Sequence, residues 1–256
     1  MWRILHDSVA GTSHRGAGLP CQDSTYAQAV PSPHGEVLIG VCADGAGSAL
    51  HSDVGSKRAC LELARLVVDF LDHSPVEGVN VATATVWCCR ILDAMNTEAA
   101  ELGVPVRDLA STVLTAIVGE EHALFFQIGD GAIVVGQNGR YEPIFWPAHG
   151  EYVNTTTFIT EGEFETNLHV ATSEAVDEVA LFTDGLEMLV LDVARRSAHQ
   201  EFFAPMFASM RAASQEDDLD VDFRAFLDSP RVNEKTDDDK SLILAVRHKH
   251  DTTTPR

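Results

Sequence analysis

Short apolar runs, each closed by glycine or an acidic residue, alternate along this chain with two long stretches whose apolar positions recur every three or four residues. Residues 3–10 and 24–30 read as short strands, separated by a polar, glycine-rich loop, GTSHRGAGLPCQD. Residues 37–43 are almost wholly apolar, the pattern of a strand covered on both faces, and the run stops abruptly at Asp44-Gly45-Ala46-Gly47. Over residues 52–72, Cys60, Leu61, Ala64, Val67, Val68 and Leu71 fall on one helical stripe, with Ser52 or Asp53 as the N-cap. After a break at residues 75–78, a second helix is expected over 79–102, its stripe formed by Ala84, Cys88, Ile91, Leu92, Met95, Ala99 and Leu102.

Residues 111–118, 123–128 and 132–137 then read as consecutive strands, and Asn138-Gly139 is a strong hairpin turn leading into a returning strand over 140–146. Further strands are expected at 152–160, 167–172 and 178–183, helices at 186–191, 200–213 and 221–227, and a last core strand at 241–246. Long amphipathic helices following strands imply a helical layer against a sheet. The simplest organisation is one α+β domain over residues 1–247, followed by a polar, frayed tail over 248–256.

Composition narrows the chemistry. With 256 residues, 45% apolar and 22% charged, the chain has the make-up of an ordinary globular protein. No apolar stretch reaches the roughly 18 residues of a membrane span, and the first residues lack the apolar core of a secretory signal. A cytoplasmic location is therefore expected, with no membrane partner. Five cysteines without CxxC spacing argue against a disulfide framework or a zinc site, and Cys60, Cys88 and Cys89 are expected to be buried thiols. A net charge of −21 makes nucleic acid an unfavourable partner, because phosphate binding needs a basic face.

The charge matters most where it recurs at strand ends. Asp44-Gly45 follows VLIGVCA, Asp130-Gly131 follows LFFQIG, Asp184-Gly185 follows VALFT, and Asp237-Asp238-Asp239 precedes SLILAV; Asp23 stands just before a strand. Each alone reads as a turn. Together they suggest carboxylates converging at one end of a sheet system. Converging carboxylates repel one another unless cations sit among them. An all-oxygen donor set favours Mg²⁺ or Mn²⁺ over zinc, and a pair of such ions can activate water and clamp a phosphoryl group.

The segments CQDS, VCADGAGSA, STVLTAIV, FFQIGDGAIVV, LFTDGLEML and DDDKSLILAV, in this order and spacing, resemble the metal-dependent (type 2C) serine/threonine protein phosphatase family, in particular its compact bacterial branch. The resemblance spans nearly the whole chain. It implies a four-layer α/β/β/α sandwich of two antiparallel sheets flanked by helices. It also implies two bound Mg²⁺ or Mn²⁺ ions with a weaker third, and phosphoserine or phosphothreonine proteins as substrates. Asp44 would bridge two ions, Gly45 would ligate one through its carbonyl, Asp184 would be a terminal ligand, Asp130 would belong to the third site, and Asp23 would act through bound water. Aligning Ser241 with the family threonine makes Asp238 the last ligand; a slip of one residue would choose Asp239. The implied reaction is in-line attack of metal-held water on phosphorus, without a phosphoenzyme.

Three positions depart from the family pattern. Gln22 is neutral where some members carry a glutamate. Gly18 occupies the usual place of the phosphate-binding arginine, leaving Arg15 and His14 as the nearest cations; Arg15 is the better bidentate donor, though either could be an ordinary loop residue. Ala46 stands where some members place a histidine that protonates the leaving group. These departures keep open a weakly active phosphatase-like binding module, or a two-metal phosphoesterase acting on a small molecule. Among other candidates, Trp87 reads as helix packing and His149 as a solvated loop residue. The run Asn154-Thr155-Thr156-Thr157 reads as strand, with a place on the rim of the site as the alternative, and residues 216–218 with Asp220 read as a solvated acidic connection.

Overall fold

The computed structural model describes residues 1–147, 156–214 and 219–248. The chain opens with strand β1 (Trp2–Val9), a short helix α1 (Thr12–Ala17) and the hairpin of β2 (Ser24–Ser32) and β3 (Gly35–Ala43). Helices α2 (Ser52–Leu71) and α3 (Val81–Leu102) follow. Next come β4 (Val113–Val118), β5 (His122–Ile128), β6 (Ala132–Gln137), β7 (Arg140–Pro143), β8 (His169–Glu174) and β9 (Glu178–Phe182). The last part carries α4 (Glu187–Val190), the small pair β10 (Leu191–Asp192) and β11 (Ser197–Ala198), α5 (Gln200–Ala212), α6 (Leu219–Leu227), α7 (Pro230–Asn233) and β12 (Lys240–Arg247).

Two five-stranded antiparallel sheets result, ordered β1-β12-β9-β6-β7 and β2-β3-β4-β5-β8. Strand β3 shows why its sequence is apolar throughout: alternate side chains serve two cores. Ile39 and Val41 pack with Leu63, Val67, Ile91 and Met95 of α2 and α3. Leu38 and Cys42 face the other sheet, against Val179, Leu181, Ile243 and Ala245 of β9 and β12. Strand β12 does the same in mirror fashion, sending Leu242 and Leu244 outward onto Phe203, Phe207 and Leu227 of α5 and α6. A central strand covered on both faces cannot alternate with polar residues. The α/β/β/α layering implied by the resemblance is thus the observed one. Trp87 is packing: its ring meets Phe70 edge-on at 5.6 Å and Phe126 at 6.4 Å.

Local differences from the sequence expectations have local causes. The loop before β2 contains helix α1, which Gly18 closes in the left-handed conformation at φ 70°. Helix α2 takes His51 at its N-cap and has no side-chain cap; Ser52 instead donates to the Ala49 carbonyl at 3.3 Å. Strand β7 stops at Pro143, which has no N–H for a ladder. No strand forms over 156–160, the described part of the expected 152–160 element, and His149, Asn154 and Thr155 lie outside the described residues, as do 216–218 and the tail beyond His248. Cys89 is exposed rather than buried, and Leu61 and Leu102, placed on the two helical stripes, are exposed as well. Helix α3 carries a clear polar cap: Asn80 accepts from the Thr83 N–H at 3.1 Å. Asn80→Ala is expected to cost about 1 kcal/mol, read in calorimetry as a melting temperature lower by roughly 2–4 °C. Among the described residues, no helix is long and apolar enough to cross a membrane.

Candidate metal centre

Strand register gathers the acidic residues. Ala43, the last residue of β3, pairs with Ser24, so Asp44 and Asp23 leave one sheet at the same end. In the other sheet Phe182 pairs with both Ala132 and Leu242, so Asp184, Asp130 and the 237–239 loop also leave at one end. The two ends meet. Asp44, Asp130 and Asp184 each place a carboxylate oxygen within 4.8 Å of the others.

Backbone contacts fix the loops that carry them. The Asp44 N–H donates to the Thr112 hydroxyl at 2.9 Å, and the Thr112 N–H returns a bond to the Asp44 carbonyl at 2.8 Å. Gly45 is a glycine for lack of room: a Cβ there would lie 2.5 Å from the Gln22 carbonyl oxygen. The residues surround a cavity of about 160 Å³ lined by Asp44, Gly45, Asp184, Asp238, His14 and Thr156, with Gln22, Ala46 and Asp239 also on its wall.

Repulsion and burial dominate the electrostatics. Burial, reinforced by the Asp23 and Asp184 charges, pushes the Asp44 carboxyl well above the usual range. Burial and then the Asp130 and Asp238 charges raise Asp184 to about 6. Burial raises the enclosed Asp23 to about 8, against the opposing pull of the Thr183 hydroxyl, which donates to it at 2.7 Å. Asp130 takes a short hydrogen bond from the Thr156 hydroxyl, while its Oδ1 is buried without a partner among the described residues. Three crowded carboxylates and one unpartnered oxygen are the donor set that a hard divalent cation satisfies. The residues present fit Mg²⁺ or Mn²⁺.

The adjacent acids of the last loop divide their work. Asp239 is buried, and its two oxygens accept from the Gly11 N–H at 2.7 Å and the Gln22 N–H at 2.5 Å. Asp238 is exposed to the cavity and raises Asp184 electrostatically. Asp238 is thus left facing the cavity, while Asp239 ties the Gly11 and Gln22 loops together. The structure separates the two candidate cations. Arg15 turns away to pair with Asp228 at 2.6 Å and is not on the cavity wall, whereas His14 is, with Nδ1 2.9 Å from Asp239 Oδ2 in a contact off the line of a well-aligned hydrogen bond.

Several residues of the site were not singled out from sequence. Thr183 receives the Ser241 N–H at 3.1 Å while holding Asp23, so it couples β9, β12 and the Asp23 loop. Lys240 is fully buried, with its ammonium on Asn233 Oδ1 at 2.9 Å and the Asp238 carbonyl at 3.3 Å. Its only signal in the sequence is a cation at the mouth of an apolar strand. Thr156 was weighed as a rim residue, and its bond to Asp130 puts it there.

This sandwich, with an acidic cleft at one end of both sheets, defines a class. A family model described as protein phosphatase 2C matches residues 10–227, and the chain belongs to that family. It is 38% identical over 249 residues to serine/threonine-protein phosphatase 3 of Escherichia coli (strain K12), covering 96% of this chain and 98% of that one. The fold is also that of the serine/threonine phosphatase Stp1 from Staphylococcus aureus (17% identity, TM-score 0.64, 97% of this chain and 96% of that one). The catalytic domain of the serine threonine protein phosphatase PstP, solved with two manganese ions, shares it as well (16% identity, TM-score 0.62, 96% and 97% covered).

Proposed function

We propose that this protein hydrolyses phosphoserine and phosphothreonine in proteins, using water directly as the nucleophile and Mg²⁺ or Mn²⁺ as cofactor. The observation that carries this reading is the triad of Asp44, Asp130 and Asp184, delivered from three strand ends to within 4.8 Å with one buried oxygen unpartnered. Asp44, the Gly45 carbonyl, Asp184 and Asp238 would hold two ions, Asp130 would serve a third, and Asp23 would act through water. The ions, when bound, lower the pKa of water and offset charge on the phosphoryl oxygens. The chain itself supplies placement: the Thr112 and Thr183 hydroxyls fix the backbone of Asp44 and the carboxyl of Asp23. Direct attack by water is also supported by the two cysteines nearest the acidic residues: burial pushes the Cys21 and Cys42 thiols up, keeping them protonated at neutral pH.

Release of phosphate from a phosphothreonine peptide and from an aryl phosphate, each with Mn²⁺, tests the reading. Turnover of the peptide is expected, with none from Asp184→Asn. Turnover of small esters alone would replace it with a small-molecule phosphoesterase; a folded protein that binds the peptide without turnover would be a binding module.

Two further outcomes follow. Arg15→Ala should leave the KM for the phosphopeptide within about twofold, since an exposed ion pair with Asp228 is all it loses. Metal and protons should compete. Asp184 is raised to about 6, so its contribution to the metal-free fold is fully present below the unfolded carboxylate pKa and is lost as pH rises through 6. Thermal unfolding should therefore show a larger Mn²⁺ stabilisation at pH 8 than at pH 5.

A further inference from the structure

Serine and threonine alkoxides are poor leaving groups, so hydrolysis of their phosphates gains from a proton delivered to the departing oxygen. The cavity wall offers few donors. Ala46, beside Asp44-Gly45, has none. The Thr156 hydroxyl is committed to Asp130. Gln22 is an amide, and the carboxylates either face the centre or, in Asp239, accept from two backbone N–H groups. His14 is the one imidazole on that wall among the described residues.

Its surroundings suit a proton donor. Helix α1, which carries it, is docked on the last acidic loop: Ser13 donates through both its N–H, at 3.0 Å, and its hydroxyl, at 2.6 Å, to the Asp237 carbonyl. A Cβ at Gly11 would lie 2.3 Å from that same oxygen, so the approach is close. The His14 side chain is 15% exposed, with Nδ1 2.9 Å from the buried Asp239 carboxylate. Nδ1 is buried and makes no well-aligned hydrogen bond there, and Nε2 has no partner among the described residues. A carboxylate beside one ring nitrogen places the imidazole and leaves the other nitrogen turned to the substrate. The neighbouring Arg15 pairs with Asp228 away from the cavity, and its guanidinium does not give up a proton.

We propose that His14 is the general acid of this phosphatase, oriented by Asp239; this rests on the phosphatase reading above. The water oxygen forms a bond to phosphorus while the bond from phosphorus to the serine or threonine oxygen breaks, its electron pair passing to that oxygen. The His14 Nε2 proton goes to the same oxygen, giving the free hydroxyl. The proton lost by the attacking water passes to solvent, and a solvent proton restores the imidazolium.

The test compares two leaving groups. Wild type, His14→Ala and His14→Gln are assayed with Mn²⁺ on a phosphothreonine peptide and on p-nitrophenyl phosphate, whose phenolate leaves without a proton. On the peptide, kcat should fall by about 10²-fold or more in both variants. On the aryl phosphate it should stay within about threefold, because that step needs no acid. Mn²⁺ affinity by calorimetry should be unchanged, and His14→Gln covers the case in which the alanine variant fails to fold. Equal losses on both substrates with a raised KM would overturn the proposal in favour of phosphate binding, and no loss on either would overturn it outright. A wild type inactive on both substrates would instead overturn the phosphatase reading, and the proposal with it.

Discussion

Asp44→Asn should lower turnover of a phosphothreonine peptide by about 10³-fold or more, since on the proposed reading Asp44 would hold the metal, whose loss forfeits several kcal/mol of transition-state charge stabilisation. The substitution keeps size and shape, and the Asp44 backbone remains tied to Thr112 through both of its hydrogen bonds. The fold should survive. It should even gain in the metal-free state: burial and the Asp23 and Asp184 charges hold the Asp44 carboxyl well above the usual range, so a carboxyl at this position opposes folding at neutral pH, where the unfolded chain is ionised. The sign is that of a raised carboxylate, whose stabilising contribution is lost as pH rises through the folded pKa. The metal-free variant at pH 8 is therefore expected to melt no lower than wild type, while Mn²⁺ no longer raises its melting temperature. A variant that loses activity together with its melting temperature would assign Asp44 a structural role instead.

Gly185→Ala should be the most damaging small change near the centre. Gly185 follows Asp184 where β9 meets the loop before β12, and a Cβ there would lie 1.9 Å from the Asp239 carbonyl oxygen. That neighbour is backbone and cannot rotate away. Its residue is also pinned, because Asp239 holds the Gly11 and Gln22 N–H groups. Relief requires moving β9 from β12, or displacing the tie between the acidic loops. A cost of roughly 3 kcal/mol is expected, a drop in melting temperature on the order of 10 °C. Calorimetry on the metal-free protein measures it. Wild-type stability in this variant would mean that the two loops do not pack as closely as described.

Much of this architecture was legible because its strands are covered on both faces. Their apolar runs end sharply, and the acidic residues stand at those ends, so the convergence of Asp44, Asp130 and Asp184 could be read before any fold was known. The helical stripes of α2 and α3 were legible for the same reason of strict period. Non-local choices were not. Cys88 and Cys89 are adjacent, but one residue turns a helix by about 100°, and only Cys88 faces the core. Asp238 and Asp239 are chemically alike; the contacts of Gly11 and Gln22, more than 200 residues away, make one a tie and leave the other facing the cavity. Arg15 was preferred over His14 on the chemistry of the side chain alone. The docking of Ser13 on Asp237 sets which face of α1 meets the cavity, and Asp228 draws the arginine to the other side.

A metal titration of one preparation decides whether the acidic cleft works through a bound cation. The protein is stripped with EDTA, and phosphate release from a phosphothreonine peptide is followed as Mn²⁺ is returned, with binding measured in parallel by calorimetry. No turnover is expected in the stripped protein, with saturable recovery that tracks binding, and both are expected to be lost in Asp184→Asn. Turnover that is indifferent to metal, or a folded, metal-loaded protein that releases no phosphate, would contradict the metal-dependent phosphatase reading.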